Sequence, residues 1–168
     1  MRTVAFIVGV VLALPAVAQE QPKPGPEHKL LEKLVGDWET TLKVGGMEFK
    51  GTVKYKMELK GLWLVSSMKS DFAGQKFYGK GLDTYDAKKK KFVSIWVDSM
   101  STTPLMMEGN FDEAKKKLTM VGEGPGMDGK PIKWRSVSEM PDNDTIHFGM
   151  YAGSAKEPTF TIVYKRKK

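Results

Sequence analysis

Residues 47–59, MEFKGTVKYKMEL, alternate between two kinds of side chain. Phe49, Val53, Tyr55, Met57 and Leu59 fall on one side. Lys50, Thr52, Lys54, Lys56 and Glu58 fall on the other. Period two belongs to a strand with one face in a core and the other in water. Both edges of such a strand need partners, so the rest of the chain must supply a sheet. Apolar runs bounded by Gly, Pro, Asp or Asn recur at about 36–44, 47–59, 62–72, 76–86, 91–98, 105–112, 117–123, 131–140, 144–151 and 159–166. That spacing predicts an all-β, antiparallel chain of about ten strands with hairpin-length turns. A long meander of this kind closes most simply into an up-and-down barrel, because closure removes the exposed edges.

The segment before the strands divides in three. Residues 1–18 carry a positive start at Arg2, an apolar run, and small residues at Ala16 and Ala18. This is the pattern of a cleaved secretory signal peptide. The run is shorter than the roughly 20 residues of a spanning helix and is interrupted by Pro15, so no transmembrane segment is expected. Residues 19–27, QEQPKPGPE, form a Pro-rich linker. From His28, Leu30, Leu31, Leu34 and Val35 line one side of a short helix opened by Pro26 and closed by Gly36. Residues 28–168 are then a single β-barrel domain with one short N-terminal helix. Its expected location is outside the cell or in the periplasm.

The chain has no cysteine, which excludes disulfides, thiol nucleophiles, Cys-based metal sites and a Cys-linked lipid anchor. It is basic, with a formal charge of +7, and loses one positive charge with Arg2 when the leader is removed. Parity then decides where the charge lies. In a meander, alternate turns share an end. The end holding both barrel termini and the helix collects KKKK (88–91), KKK (115–117) and KRKK (165–168). The other end collects GG, AGQ, SMSTTP, GPGMDG and AGSAKEP, loops of small neutral residues. One end reads as a basic, helix-covered base and the other as an open mouth. Lysines confined to turn tips, without interleaved aromatics, argue against nucleic acid as a partner. Weak attraction to an anionic envelope surface is their functional alternative to simple solvation.

The segments LLEKLVGDWE, YGKGLDTYD, FVSIWVDSMSTT and VYKRKK occur in that order. Together they resemble the uncharacterised bacterial family numbered domain of unknown function fifteen seventy-nine, over about residues 28–167. The resemblance implies a lipocalin-like (calycin-like) barrel without an agreed activity. It also implies that Gly36 and Trp38 begin the first strand and that Arg166, on the last, packs over Trp38. A guanidinium on an indole face is worth about 0.5–2 kcal/mol, and strands one and ten must meet for closure. The trio Gly36, Trp38 and Arg166 is therefore assigned to barrel closure. The family's Gly-Tyr-Asp turn is Thr84-Tyr85-Asp86 here, so its glycine is missing.

The expected function is binding of a small apolar or amphipathic molecule through the mouth. Tyr55, Trp63, Tyr85, Trp96, Trp134 and Tyr151 combine apolar bodies with polar handles suited to a cavity wall. Asp98, Ser99 and Thr102 belong to the mouth. Whether Trp96 and Asp98, or Val93, Ile95 and Val97, face inward stays open in the sequence. Two alternatives stand beside this reading: an enzyme on the same barrel using Asp98, and a structural envelope protein with a filled barrel. The chain has only two histidines, His28 and His147. Haem held by His147 is the weaker reading, because Ile146, Phe148 and Met150 make the apolar face of that strand and leave His147 on the other. The expected state is a barrel with no cofactor.

Overall fold

A computed structural model describes residues 21–126 and 129–168. The expected signal peptide (residues 1–18), the start of the linker and two residues of the Gly-rich loop at 126–130 lie outside the described residues. After helix α1 (His28–Glu32) come ten strands: β1 (Gly36–Val44), β2 (Met47–Glu58), β3 (Trp63–Phe72), β4 (Gln75–Asp86), β5 (Lys91–Asp98), β6 (Ser101–Asp112), β7 (Lys117–Pro125), β8 (Pro131–Glu139), β9 (Thr145–Ala152) and β10 (Phe160–Arg166). Each pairs antiparallel with its sequence neighbours, and β10 pairs with β1, so the sheet is a closed barrel. The all-β fold with one short N-terminal helix is as the alternation predicts.

Turn chemistry explains the hairpins. Gly45 and Gly46 both have positive φ (55° and 79°), as do Ala73 (54°) and Gly74 (95°). Two successive left-handed residues twist a tight hairpin with the right hand for its strands. At the opposite end, the Asp86 carboxylate accepts the Lys88 and Lys89 amides at 2.9 and 3.0 Å, and Asp112 accepts that of Lys115 at 3.1 Å. Both loops finish with a left-handed lysine, Lys90 (φ 54°) and Lys116 (φ 50°). The likeness of YDAKKKKF and FDEAKKKL is therefore one turn solution used twice.

One boundary differs from the alternation pattern. Ser101–Pro104 belong to β6 and not to a loop, so the turn is only Ser99–Met100. Trp96 pairs with Leu105 but Asp98 pairs with Ser101, leaving extra residues on β6. Pro104 has no N–H for the ladder, and it falls within this bulge, where none is required.

Pairing register divides every strand into an inner and an outer face. Trp38, Thr40 and Leu42 pair with Arg166, Tyr164 and Ile162 on the inner face. Tyr55, Ser66, Gly81 and Trp96 continue it around four adjacent strands. Two apolar clusters stabilise the interior. One joins Leu31 of α1 to Leu64, Phe92, Met107 and Met120 near the base. The other joins Trp38, Val53, Met68, Phe77, Ile146 and Ile162. Helix α1 thus plugs the base through Leu31, which is 3% exposed. A five-residue helix is too short to be stable alone, so this packing holds it in place.

Candidate functional site

Barrel diameter grows with strand number, and eight strands already leave an interior that side chains only just fill. Ten strands enclose more. Accordingly, many inward-facing residues here are half-buried and not sealed: Tyr55, Asp83, Ser94, Trp96, Leu105 and Tyr164 among them. Accessible surface on an inward side chain means that open space adjoins it. Glycines on the inner face of β4 leave room for a side chain of the next strand. A Cβ at Gly81 would lie 2.5 Å from the Ser66 hydroxyl and 3.5 Å from the Trp96 ring, and one at Gly79 would collide with the same ring. The indole therefore lies flat across β4 because β4 carries no side chains there.

This settles which face of β5 is inside. Trp96 pairs with Gly81 and Asp98 with Gly79, both on the inner face, while Val97 is exposed. The Trp96 indole N–H donates to one Asp98 oxygen at 2.8 Å, and the Met100 amide donates to the other at 2.8 Å. Asp98 thus fixes both a rim tryptophan and the β5–β6 turn. Ser99 braces the same rim: its amide donates to the Tyr78 carbonyl (2.9 Å), and its hydroxyl accepts the Tyr78 amide (3.1 Å). Thr102 is exposed on the bulged start of β6.

The candidate aromatics separate by parity. Tyr55, Tyr85, Trp96 and Trp134 share the inner face with buried Leu64, Phe92, Met107 and Met120 or lie in register with it. Tyr85 packs edge-on against Phe92 at 5.2 Å in the floor, and the Trp134 indole N–H donates to the Pro125 carbonyl at 3.1 Å near the mouth. Trp63 and Tyr151 are a correction. Trp63 precedes inward Leu64 and pairs with outward Glu58. Tyr151 follows inward Met150 and lies beneath the outward Arg135 guanidinium, 3.9 Å from its ring centroid. Neither faces the interior. Towards the mouth the wall is made of Phe49, Phe72 and Phe77, with ring centroids about 5 Å apart in sequence.

Below this apolar wall lies a polar layer that the residue types alone did not single out. Asp83 pairs with Ser94 and Leu64 on the inner face, and the Ser94 hydroxyl hydrogen-bonds its carboxylate. Burial nevertheless pushes the Asp83 carboxyl up to about 6, with the Ser94 hydrogen bond opposing the rise. Tyr55 and Tyr164 meet through their hydroxyls in the same layer. Burial raises both phenols above their ordinary value, and the nearby Asp83 charge adds to the rise. Buried Ser66 and Thr40 complete the layer, and the Thr40 hydroxyl has no hydrogen-bond partner. The signal for Asp83 was its parity with Phe77, Gly79 and Gly81 in KFYGKGLDTYD.

The base is built by Arg166. Its guanidinium donates to the Val35 (2.7 Å), Lys33 (2.6 Å) and Asn143 (2.9 Å) carbonyls and contacts Asp144 at 3.0 Å. It thereby satisfies carbonyls at the end of α1 that have no helical partner. Beside it, a cleft of about 230 Å³ opens between α1 and the turns at 113–116 and 140–143, with Trp38, Phe111 and Ile146 at its bottom. The basic runs of the base are partly neutralised: Lys89 and Lys91 both meet Glu108, Lys115 meets Asp112, and Lys117 meets Glu139. A shallower depression of about 700 Å³ crosses the outside of β1–β5 and is rimmed by Lys54, Lys69, Lys80 and Lys167.

His147 is exposed on the outer face, paired with Val163 and Glu139, and directs its imidazole away from the barrel interior. His28 is buried in α1, where Nδ1 accepts the Gly25 amide at 3.0 Å. Among the described residues, no three His, Cys, Asp or Glu side chains converge as a metal site, and no helix is long and apolar enough to cross a membrane.

Comparison with known proteins agrees with this architecture. The solved structure entitled "Crystal Structure of Rv2717c from M. tuberculosis" superposes with a TM-score of 0.61, covering 86% of this chain and 99% of that one. At 11% identity that likeness shows a shared fold. No curated protein matches the sequence. The family model described as "Protein of unknown function (DUF1579)" matches residues 23–166, and the chain belongs to that family.

Proposed function

We propose that this protein is an exported carrier or receptor for a small, mostly apolar molecule held inside its barrel. The observation that carries the reading is the incomplete burial of the inward face at Tyr55, Asp83, Ser94, Trp96 and Tyr164. A chamber with aromatic and aliphatic walls and a few convergent polar groups is the usual form of a small-molecule site. The mouth, built from Gly- and Ser-containing turns, is the entrance. The catalytic reading of Asp98 loses its support, because both carboxylate oxygens are engaged in holding the rim. Export rests on the leader pattern of residues 1–18. The lysines of the base and of the outer depression give such a protein a mild affinity for anionic envelope surfaces, which salt screens within about 8–10 Å.

The test is a titration of the purified protein with N-phenyl-1-naphthylamine, an uncharged dye that brightens in apolar surroundings. Saturable binding at one site, displaced by octanol, is expected. Fluorescence that rises linearly without saturation would leave a filled, structural barrel as the better reading.

A further inference from the structure

The inner face carries few charges. Among the described strands the inward-facing carboxylates and basic side chains are Asp83, Asp98 and Arg166. Asp98 gives its oxygens to the Trp96 indole and the Met100 amide at the rim. Arg166 spends its donors on the Lys33, Val35 and Asn143 carbonyls and on Asp144 at the base. Asp83, between them, has a single hydroxyl, that of Ser94, acting on its acidity besides burial. An ionised carboxylate offers about four acceptor positions, and one serine proton fills one of them. What remains faces the half-open interior.

The groups around Asp83 favour a cation and no other kind of polar ligand. Ser66 of β3, Tyr55 of β2 and Tyr164 of β10 complete the layer with neutral oxygens. Burial holds both phenols well above their ordinary range, so they stay neutral at physiological pH. Phenol rings attract a cation to their faces, and phenol oxygens accept from it. The floor helix packs below through Leu31, and its histidine, His28, uses Nδ1 to accept the Gly25 amide. Neither lysine nor arginine figures among the causes that set the acidity of Asp83. Above the layer the walls are Met68, Trp96 and Ile162, which suit a hydrocarbon body. We propose that the chamber floor is a cation-recognising site, in which Asp83, with Ser94 and the Tyr55–Tyr164 pair, receives the protonated amine of an otherwise apolar ligand.

This inference rests on the ligand-binding reading above and narrows it. The net charge of +7 opposes a cation at long range. That repulsion comes from exposed groups, is screened beyond about 8–10 Å of salt solution, and slows entry more than it weakens the bound state. At the floor the decisive interaction is the close carboxylate, because a buried acceptor left without donors is costly.

The test compares octylamine, octanol and octanoate by calorimetry on the purified chain at pH 8, where both Asp83 and the amine are charged. Octylamine is expected to bind about tenfold tighter than octanol, the factor separating a charge-assisted hydrogen bond from a neutral one, and octanoate weakest. Asp83→Asn should abolish the preference for the amine, so that octylamine and octanol bind the variant within about twofold of each other, against about tenfold for the wild type. Ser94→Ala should reduce the preference in part. Asp98→Asn, at the rim, should not alter the ratio of amine to octanol. In the wild type the amine preference should fade as pH drops through about 6, where Asp83 takes up a proton. Octanol binding without an amine preference, or a preference that survives Asp83→Asn, overturns the inference but spares the ligand-binding reading. Failure of all three compounds to bind overturns both.

Discussion

The Arg166 guanidinium lies 4.2 Å from the centroid of the Trp38 ring, and the two residues are register partners where the last strand meets the first. Gly36, two residues before the tryptophan, makes this possible. Its φ of +132° suits glycine, and a Cβ there would approach Arg166 Nη1 to 2.9 Å. Three residues from opposite ends of the chain thus share one small volume at the base.

Removing the tryptophan leaves a cavity in the tightest part of the core, where Trp38 is 1% exposed. Trp38→Ala should cost about 3–5 kcal/mol. Arg166→Lys keeps the charge but loses the planar fork that reaches several carbonyls, so it should retain little of the native stability contribution. Urea melts of the two variants and of Gly36→Ala test this. Midpoints unchanged for all three would mean that the closure contact is incidental.

Asp83 should make the protein less stable at high pH. Its carboxyl is raised from 3.8 to about 6 by burial, so between those values the folded protein holds a proton that the unfolded chain has released. Its contribution is therefore most favourable at low pH and is lost as pH rises through about 6. Two pKa units correspond to about 2–3 kcal/mol. Asp83→Asn should be more stable than wild type at pH 8 by that order and equal to it near pH 4. Thermal melts at the two pH values decide; a variant destabilised at pH 8 contradicts the assigned environment.

The inner glycines of β4 should resist even one methyl group. Gly81→Ala brings a Cβ to 2.5 Å from the Ser66 hydroxyl, and Gly79→Ala drives into the Trp96 ring. Overpacking of this kind costs about 1–3 kcal/mol. For Gly79→Ala the displaced indole should also lose its bond to Asp98, giving a shift in tryptophan fluorescence. Gly74→Ala serves as a control: nothing lies within 4 Å of a Cβ there, and its φ of +95° gives strain without a clash. An unchanged spectrum in Gly79→Ala would place the indole elsewhere.

Export predicts a mature chain that begins near Gln19. Mass spectrometry of the protein isolated from its own cell envelope should find residues 1–18 missing. Retention of Met1–Ala18 would contradict cleavage.

Much of this architecture was legible in the sequence, and the exceptions have definite causes. Alternation marked the strands because most have one wet and one dry face. Strand β5 resisted, because Val93, Ile95 and Val97 are as apolar as the face that carries Trp96. The deciding information lay on its neighbour, whose Gly79 and Gly81 leave room for the indole. Trp63 and Tyr151 have the chemistry of a cavity wall, while their parity with Leu64 and Met150 puts them outside. Asp83 is inconspicuous for the opposite reason. Its parity is inward, but an acid beside Leu82 and Thr84 looks like an ordinary solvent-facing residue. Residues 101–104 looked like a loop because a bulge with a proline has no alternation to display.

The pairing of β1 with β10 has a kinetic consequence. A sandwich or a bundle can settle piece by piece as the polypeptide is made, but a ring has no stable part-built form with its seam open. Until Phe160–Arg166 are available, β1 keeps one unsatisfied edge and α1 lacks the guanidinium that ties down its final carbonyls. Strand-by-strand growth up to that moment leaves a curled sheet with two sticky margins, prone to pairing with another nascent copy. Contacts between the two ends of a chain are also the slowest to form. The last seven-residue strand therefore sets the interval during which this protein is most exposed to aggregation.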